Sequence, residues 1–346
     1  MQSKAYVFDA RPVFPLLVTA RQYWTPDCAP DDPGAITLVF AHATGYHKEQ
    51  WEPTLEHLFG LIRNTEKVRI RDAWCIDAPN HGEAAKLNEK ELQWGYVPVF
   101  PWEEYARAVH LFLAGLGEGV DVDFSGRKLV GIGHSMGASA IILSQTYYPP
   151  LPYISTILVD PMLLPPFTES PAGGPRNLLL EGAEKRRDVW PSRAEAWAQF
   201  TSRPAWRAWD ERVLRLYAQH GLRELPTAEH PDKAEGVTLT CTKVQEAACF
   251  RDKLGRTKAY RYLPHMCRTM PVHFVWGEFR DSILTAQVID AVMSEGTEGK
   301  HASAHRVRGA GHLIPQMQPE GLARALWDAL NLEAVEGVRR TERSRL

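Results

Sequence analysis

Lys128-Leu-Val-Gly-Ile-Gly-His-Ser-Met-Gly-Ala-Ser139 is the stretch on which the reading of this chain turns. An apolar run, Leu129 to Ile132, enters Gly133-His134-Ser135-Met136-Gly137, and small and apolar residues then continue at helical spacing. A strand, a sharp turn and a helix around G-x-S-x-G form the context of a nucleophile elbow. Gly133 and Gly137 remove side chains where strand and helix backbones converge. Ser135 is expected in a strained conformation that lifts its Oγ above the sheet edge. The bare pattern also occurs as an ordinary Gly/Ser-rich turn. The flanking strand and helix give it weight.

Outward from the elbow, apolar runs and helical periodicities alternate. Residues 4–9 and 15–24 alternate apolar and polar side chains, as a pair of edge strands would. Ile36 to Ala41 reads as a buried strand, followed by the loop His42-Ala-Thr-Gly-Tyr-His47. Helical spacing covers 51–62, a strand 68–76, a loop everything up to about Pro101, and an amphipathic helix 102–116. After the elbow helix comes the strand Ile154-Ser-Thr-Ile-Leu-Val-Asp160. The alternation then breaks. Between Asp160 and Pro271 a Pro-rich loop precedes helical segments at 193–203, 205–220 and 242–254, dense in Arg, Trp and Leu. It resumes with a strand at 272–276, a helix at about 283–293, a strand at 303–308 and a helix at 320–330.

Strands alternating with helices predict an α/β chain with a mostly parallel central sheet covered on both faces. The expected division is a core of 1–160 and 271–335, a helical lid of 161–270 inserted after the strand ending at Asp160, and a tail of 336–346.

At 346 residues and 44% apolar, the chain can bury a sizeable core. A net charge of −2 builds in no pull toward nucleic acid or an anionic membrane. No 18-residue apolar run exists, and the start, Met1-Gln-Ser-Lys-Ala-Tyr-Val-Phe, has no signal-peptide apolar region. Five Cys form an odd set without framework spacing, which fits a reducing compartment. The last residues, Ser344-Arg345-Leu346, are close to the S-K-L address, so import into the peroxisomal matrix by its receptor is expected.

A serine hydroxyl needs a base within hydrogen-bond reach and an acid that fixes the base's tautomer. In an open parallel sheet these groups come from loops at the carboxyl ends of strands. His312, in Arg308-Gly-Ala-Gly-His-Leu-Ile-Pro315 after the last strand, is the candidate base. Two residues compete as acid: Asp160, ending the strand after the elbow helix, and Asp281, in Trp-Gly-Glu-Phe-Arg-Asp after the strand 272–276. Asp160 is favoured, because Arg280 stands where the commoner pattern has its Asp. The oxyanion donors are expected to be the N–H of Met136 and one from the 42–45 loop, Thr44 before Ala43. A metal pair of His42 and His47 lacks a third ligand, and acyl transfer to water requires no metal or organic cofactor.

These segments together resemble the α/β-hydrolase fold serine hydrolases over nearly the whole chain. More narrowly, Phe-Ala-His-Ala-Thr-Gly-Tyr-His-Lys-Glu, Gly-His-Ser-Met-Gly, Leu-Val-Asp-Pro and the Ser-Arg-Leu end are similar to fungal peroxisomal hydrolases of secondary metabolism. That group includes the mycophenolic acid acyl-CoA hydrolase and host-selective toxin biosynthesis hydrolases. The resemblance implies an acid on the strand after the elbow helix, matching Asp160, and an acyl-CoA or acyl ester as substrate. Arg186, Arg187 and neighbouring lid cations are candidates to meet CoA phosphates, the alternative being a solvated helix face. An esterase or lactonase without CoA and an acyltransferase use the same triad. A non-catalytic ligand-binding protein on the same fold is the reading from another class.

Overall fold

The computed structural model describes residues 1–63, 67–166, 177–279 and 284–343, with side chains described to 332. β1 (Gln2–Phe8) and β2 (Val18–Trp24) pair antiparallel from Gln2↔Trp24 to Phe8↔Val18. β3 (Ile36–Ala41) is buried along nearly its whole length, as the apolar run Leu38 to Ala41 requires. α1 (Glu52–Ile62) buries Leu55, Leu58, Phe59 and Ile62, the three- and four-residue spacing that made it legible. β4 (Ile70–Ile76) returns between β2 and β3.

The expected loop from here to Pro101 is not one. It holds α2 (Gly82–Leu87) and α3 (Glu89–Gly95), less than two turns each, burying only Gly82, Ala84, Ala85 and Leu92 between them. α4 (Trp102–Leu113) starts directly after Pro101, whose fixed φ suits a helix entry. β5 (Lys128–His134) carries the elbow, α5 (Met136–Ser144) is buried on every side, and β6 (Tyr153–Val159) delivers Asp160.

The inserted region is not purely helical. α6 (Leu178–Lys185), β7 (Val189–Trp190), α7 (Arg193–Ser202), α8 (Pro204–Arg207), α9 (Glu211–His220), β8 (Leu222–Glu224), β9 (Val237–Leu239) and α10 (Lys243–Arg251) follow one another. β7, β9 and β8 form a small antiparallel sheet. The single helix expected over 205–220 is two helices, because the Asp210 carboxylate accepts the Arg212 N–H and starts α9. Trp190, Phe200, Trp206, Trp209 and Tyr217 pack on one another, so the tryptophan-rich stretch is the lid's own core.

α11 (Leu254–Thr269) was expected to belong largely to the lid. Instead it lies on α5 and α4, burying Ala259, Tyr260, Leu263 and Met266. β10 (Val272–Gly277), α12 (Ala286–Ala291), β11 (Ser303–Val307), α13 (Ile314–Met317) and α14 (Pro319–Arg343) complete the chain.

The main sheet has eight strands in the order β1-β2-β4-β3-β5-β6-β10-β11, parallel from β4 to β11. α1 and α14 cover one face, while α4, α5 and α11 cover the other, so each face buries its own apolar core. Among the described residues no helix is long and apolar enough to cross a membrane. The loops after β3, β5, β6 and β11 leave the carboxyl ends of their strands on one side of the sheet, where Thr44, Ser135, Asp160 and His312 are collected.

Candidate active site

Ser135 joins β5 to α5 at φ 55° and ψ −115°, a region that ordinary residues avoid. The turn is possible only because its neighbours are glycines. A Cβ on Gly133 would stand 2.4 Å from the Gly137 carbonyl oxygen, and one on Gly137 2.2 Å from that of Ala41. The Ser135 hydroxyl lies 3.0 Å from His312 Nε2. His312 Nδ1–H donates to Asp160 Oδ2 at 2.6 Å, and Asp160 Oδ1 accepts the Gly277 N–H at 3.1 Å. All three side chains are buried or half-buried. The Asp160 backbone, at φ 38°, is held by its own N–H on the Val275 carbonyl at 2.7 Å. The β6–β10 pairing thus aims this carboxylate at the loop after β11. Of the two candidate acids, Asp160 stands against the imidazole; Asp281 lies outside the described residues.

The loop after β3 faces the elbow. Met136 N–H opens α5 and so has no intrahelical acceptor. Thr44 N–H meets no protein acceptor among the described residues, and Thr44 Oγ1–H donates to Met136 Sδ at 3.2 Å. His42 holds the peptide between Ala43 and Thr44: its Nδ1–H donates to the Ala43 carbonyl at 2.8 Å, while Nε2 accepts the Ala78 N–H at 3.0 Å. With both ring nitrogens engaged by backbone, His42 has no lone pair left for a metal. His47 bonds Glu49 through Nδ1 at 3.0 Å. A narrow cavity at Ser135 is lined by Trp102, Met162, Leu179 and Phe250 on its apolar side and by Thr44, Asn177 and Arg256 on its polar side.

Residues 38–325 match the profile of the alpha/beta hydrolase family. The chain belongs to that family. The Type I acyl-CoA thioesterase mpaH of Penicillium roqueforti (strain FM164) is 31% identical over 222 residues, which are 63% of this chain and 47% of that protein. A protein of the same name from Penicillium brevicompactum is 32% identical over 209 residues, 59% of this chain and 43% of that one. The chain spans about half the length of the curated relatives it matches. Among solved structures, the peroxisomal alpha-beta-hydrolase Lpx1 from Saccharomyces cerevisiae superposes with a TM-score of 0.72 at 19% identity, over 97% of this chain and 89% of that one. The thioesterase domain from the curacin biosynthetic pathway gives a TM-score of 0.63 at 14% identity, over 94% and 100%. Both are likenesses of fold.

Within this family member, one of the two lid arginines is already engaged by a carboxylate. Arg186 donates to Glu246 Oε2 at 2.5 Å and to the Tyr217 hydroxyl at 3.2 Å, so it fastens α6 to α10 and α9 and does not await a phosphate. Arg187 gives its Nε–H to the Val189 carbonyl and lies over the Trp190 ring at 5.8 Å. Two groups escaped the sequence reading. Asp188, Glu229 and His230 cluster in the lid with the Lys243 ammonium 3.4 Å from Asp188, an ion-pair knot. Behind the 42–47 loop, the fully buried Lys48 ammonium lies 2.8 Å from Asp77 and 3.1 Å from Glu49.

The hydrolase carries three deeply buried histidines around its site. Burial pushes His42 down to about 4 and holds His81 and His134 well below the usual range, so all three are neutral. His134 uses its Nε2–H to hold the His312 carbonyl at 2.8 Å. In the unfolded chain each takes a proton near pH 6.5, before the folded chain does. Stability is therefore full above that pH and is lost as pH falls, toward about 4 for His42, at about 1.4 kcal/mol per pH unit for each imidazole. The midpoint of urea unfolding should drop clearly between pH 7 and pH 5; an unchanged midpoint would contradict the neutral imidazoles.

Proposed function

We propose that this protein is a serine hydrolase that cleaves an acyl-CoA thioester through an acyl-enzyme on Ser135. The observation that carries the reading is the line Ser135 Oγ, His312, Asp160, with contacts of 3.0 and 2.6 Å, at a strained elbow. His312 Nε2 takes the hydroxyl proton as Oγ attacks the carbonyl carbon. Asp160 stabilises the imidazolium, and the N–H groups of Met136 and Thr44 receive the oxyanion. Collapse of the tetrahedral species breaks the carbon–sulfur bond, and His312 gives the proton to the departing thiolate. Water, deprotonated by the same imidazole, then attacks the acyl-enzyme and releases the acid, restoring Ser135.

The thioester is chosen over an oxygen ester because the fungal relatives are named acyl-CoA thioesterases; the trough of Trp102, Met162, Leu179 and Phe250 would receive the acyl chain of either. Incubation with a fluorophosphonate should label Ser135, and a panel of acyl-CoAs should release free thiol. Labelling without thiol release would move the assignment to an ester or lactone hydrolase. No labelling would favour the ligand-binding reading. Residence in the peroxisomal matrix is part of the proposal. A fluorescent protein fused to the amino end should collect in peroxisomes and become diffuse once Ser344, Arg345 and Leu346 are removed; diffuse signal from both forms would overturn it.

A further inference from the structure

The peptide that follows Thr44 is held by a residue that the mechanism above does not use. Gly45, at φ +86°, donates its N–H to His81 Nε2 at 2.8 Å. His81 is wholly buried, and its Nδ1–H donates to Asn80 Oδ1 at 2.7 Å, so Nε2 keeps the lone pair that Gly45 needs. Asn80, equally buried, directs its Nδ2–H groups at α10 of the lid, 3.3 Å from Gln245 Oε1 and 3.2 Å from Cys249 Sγ. An unbroken run of hydrogen bonds therefore joins the lid to the amide next to Thr44. Glu246 of the same lid helix closes the other side: a Cβ on Gly45 would meet its Oε1 at 2.9 Å, and Arg186 holds that carboxylate in place. Two successive peptide planes are thus fixed by two imidazoles, the first by His42 and the second by His81, whose rings lie 5.2 Å apart.

We propose that His81 is a positioning residue that sets the Thr44 N–H for the oxyanion, and that Asn80 ties this setting to lid helix α10. The inference rests on the serine-hydrolase reading above. The Thr44 N–H lies in the plane that His42 holds, and the plane that His81 holds joins it at the Thr44 Cα. Freeing the second plane lets Thr44 turn about its own backbone torsions and carries the donor away from the reacting oxygen, and losing one such donor costs a few powers of ten in rate. The loss falls on the transition state, because a ground-state carbonyl draws less on the donor.

His81→Phe keeps a ring in the cavity and removes the acceptor. It should lower kcat by about 10–100-fold and leave KM within about threefold. His81→Gln, whose Oε1 can accept the Gly45 N–H, should recover most of that loss. Affinity for a trifluoromethyl ketone, which forms an oxyanion on Ser135, should fall in step with kcat/KM, while affinity for the corresponding secondary alcohol stays unchanged. Asn80→Ala alone should show part of the defect and add nothing to His81→Phe. A kcat within twofold of the natural protein for His81→Phe would overturn the positioning role. Full additivity of the two substitutions would overturn the link to the lid. Hydrogen exchange at the Gly45 amide is the second readout. It should speed up in His81→Phe and return toward natural in His81→Gln even if the natural protein hydrolyses nothing, which would instead count against the proposed function. Unchanged exchange in both variants would overturn the inference.

Discussion

A Ser135→Ala protein should fold like the natural one and lose turnover by about 10⁴–10⁶-fold. The substitution removes one oxygen, whose contact at the site is the 3.0 Å approach to His312 Nε2. It neither opens a cavity nor changes the strain, since alanine meets the φ of 55° as serine does. Its denaturation midpoint should therefore stay where it is or rise. Asp160→Asn tests the other end of the line. An asparagine has one accepting oxygen, whereas Asp160 serves both the Gly277 N–H and the His312 Nδ1–H. Turning its amide toward His312 would present a donor to a donor and force the imidazole into the wrong tautomer, at about 10³–10⁴-fold in kcat. Measured together, the pair also separates the two candidate acids. Near-natural activity in Asp160→Asn with a collapse in Asp281→Asn would remove Asp160 from the proposed triad.

What could be read in the sequence were the elements whose burial is written locally. β3 and β5 contain the apolar runs Leu38 to Ala41 and Leu129 to Ile132, and α1 repeats its apolar positions every three or four residues. The elbow was legible because a glycine must stand two residues before and two after the serine to make that turn. α2 and α3 were missed because helices of six and seven residues with Ala84, Ala85 and Leu92 inside leave no stripe to find. α11 was hidden by Pro264 within it and by the polar residues along it. The lid strands, two or three residues long, are too short to show alternation. The limit at the site was of another kind. His42, His81 and Lys48 were visible as residues, but their roles depend on partners brought from elsewhere in the chain: Ala78 for His42, Gly45 for His81 and Asp77 for Lys48. Asp160 was already favoured in the sequence, but the β6–β10 pairing that sets its carboxylate against His312 is encoded in no local pattern.

Lys48→Met should be the most damaging substitution for stability, at about 3–5 kcal/mol. The ammonium is fully buried and surrounded by carboxylates, Asp77 at 2.8 Å, Glu49 at 3.1 Å and Glu83 at 3.4 Å. Burial alone would push Lys48 down, but the Asp77 and Glu49 charges outweigh it and hold it above the usual lysine range. Burial likewise pushes the Glu49 carboxyl up, and the His47 bond and the Lys48 charge overcome that to hold it well below. Methionine fills the stem's volume but leaves buried carboxylates facing one another. Asp77 would still accept from Thr19 Oγ1 and the Lys48 backbone N–H, so the turn after β3 would persist while its charge balance is gone. Two further measurements distinguish this from lost packing. Without the Lys48 charge, burial makes the Glu49 carboxylate easier to protonate, so the deficit relative to the natural protein should shrink as pH falls from 7 toward 5. Adding Asp77→Asn to Lys48→Met should restore part of the stability, because it removes one of the uncompensated charges. A Lys48→Met protein within about 1 kcal/mol of the natural one at pH 7 would show that Asp77 and Glu49 do not depend on the ammonium. The same cluster directly follows the loop carrying Thr44, so the variant should also lose rate before it unfolds, as the oxyanion donors loosen together with their support.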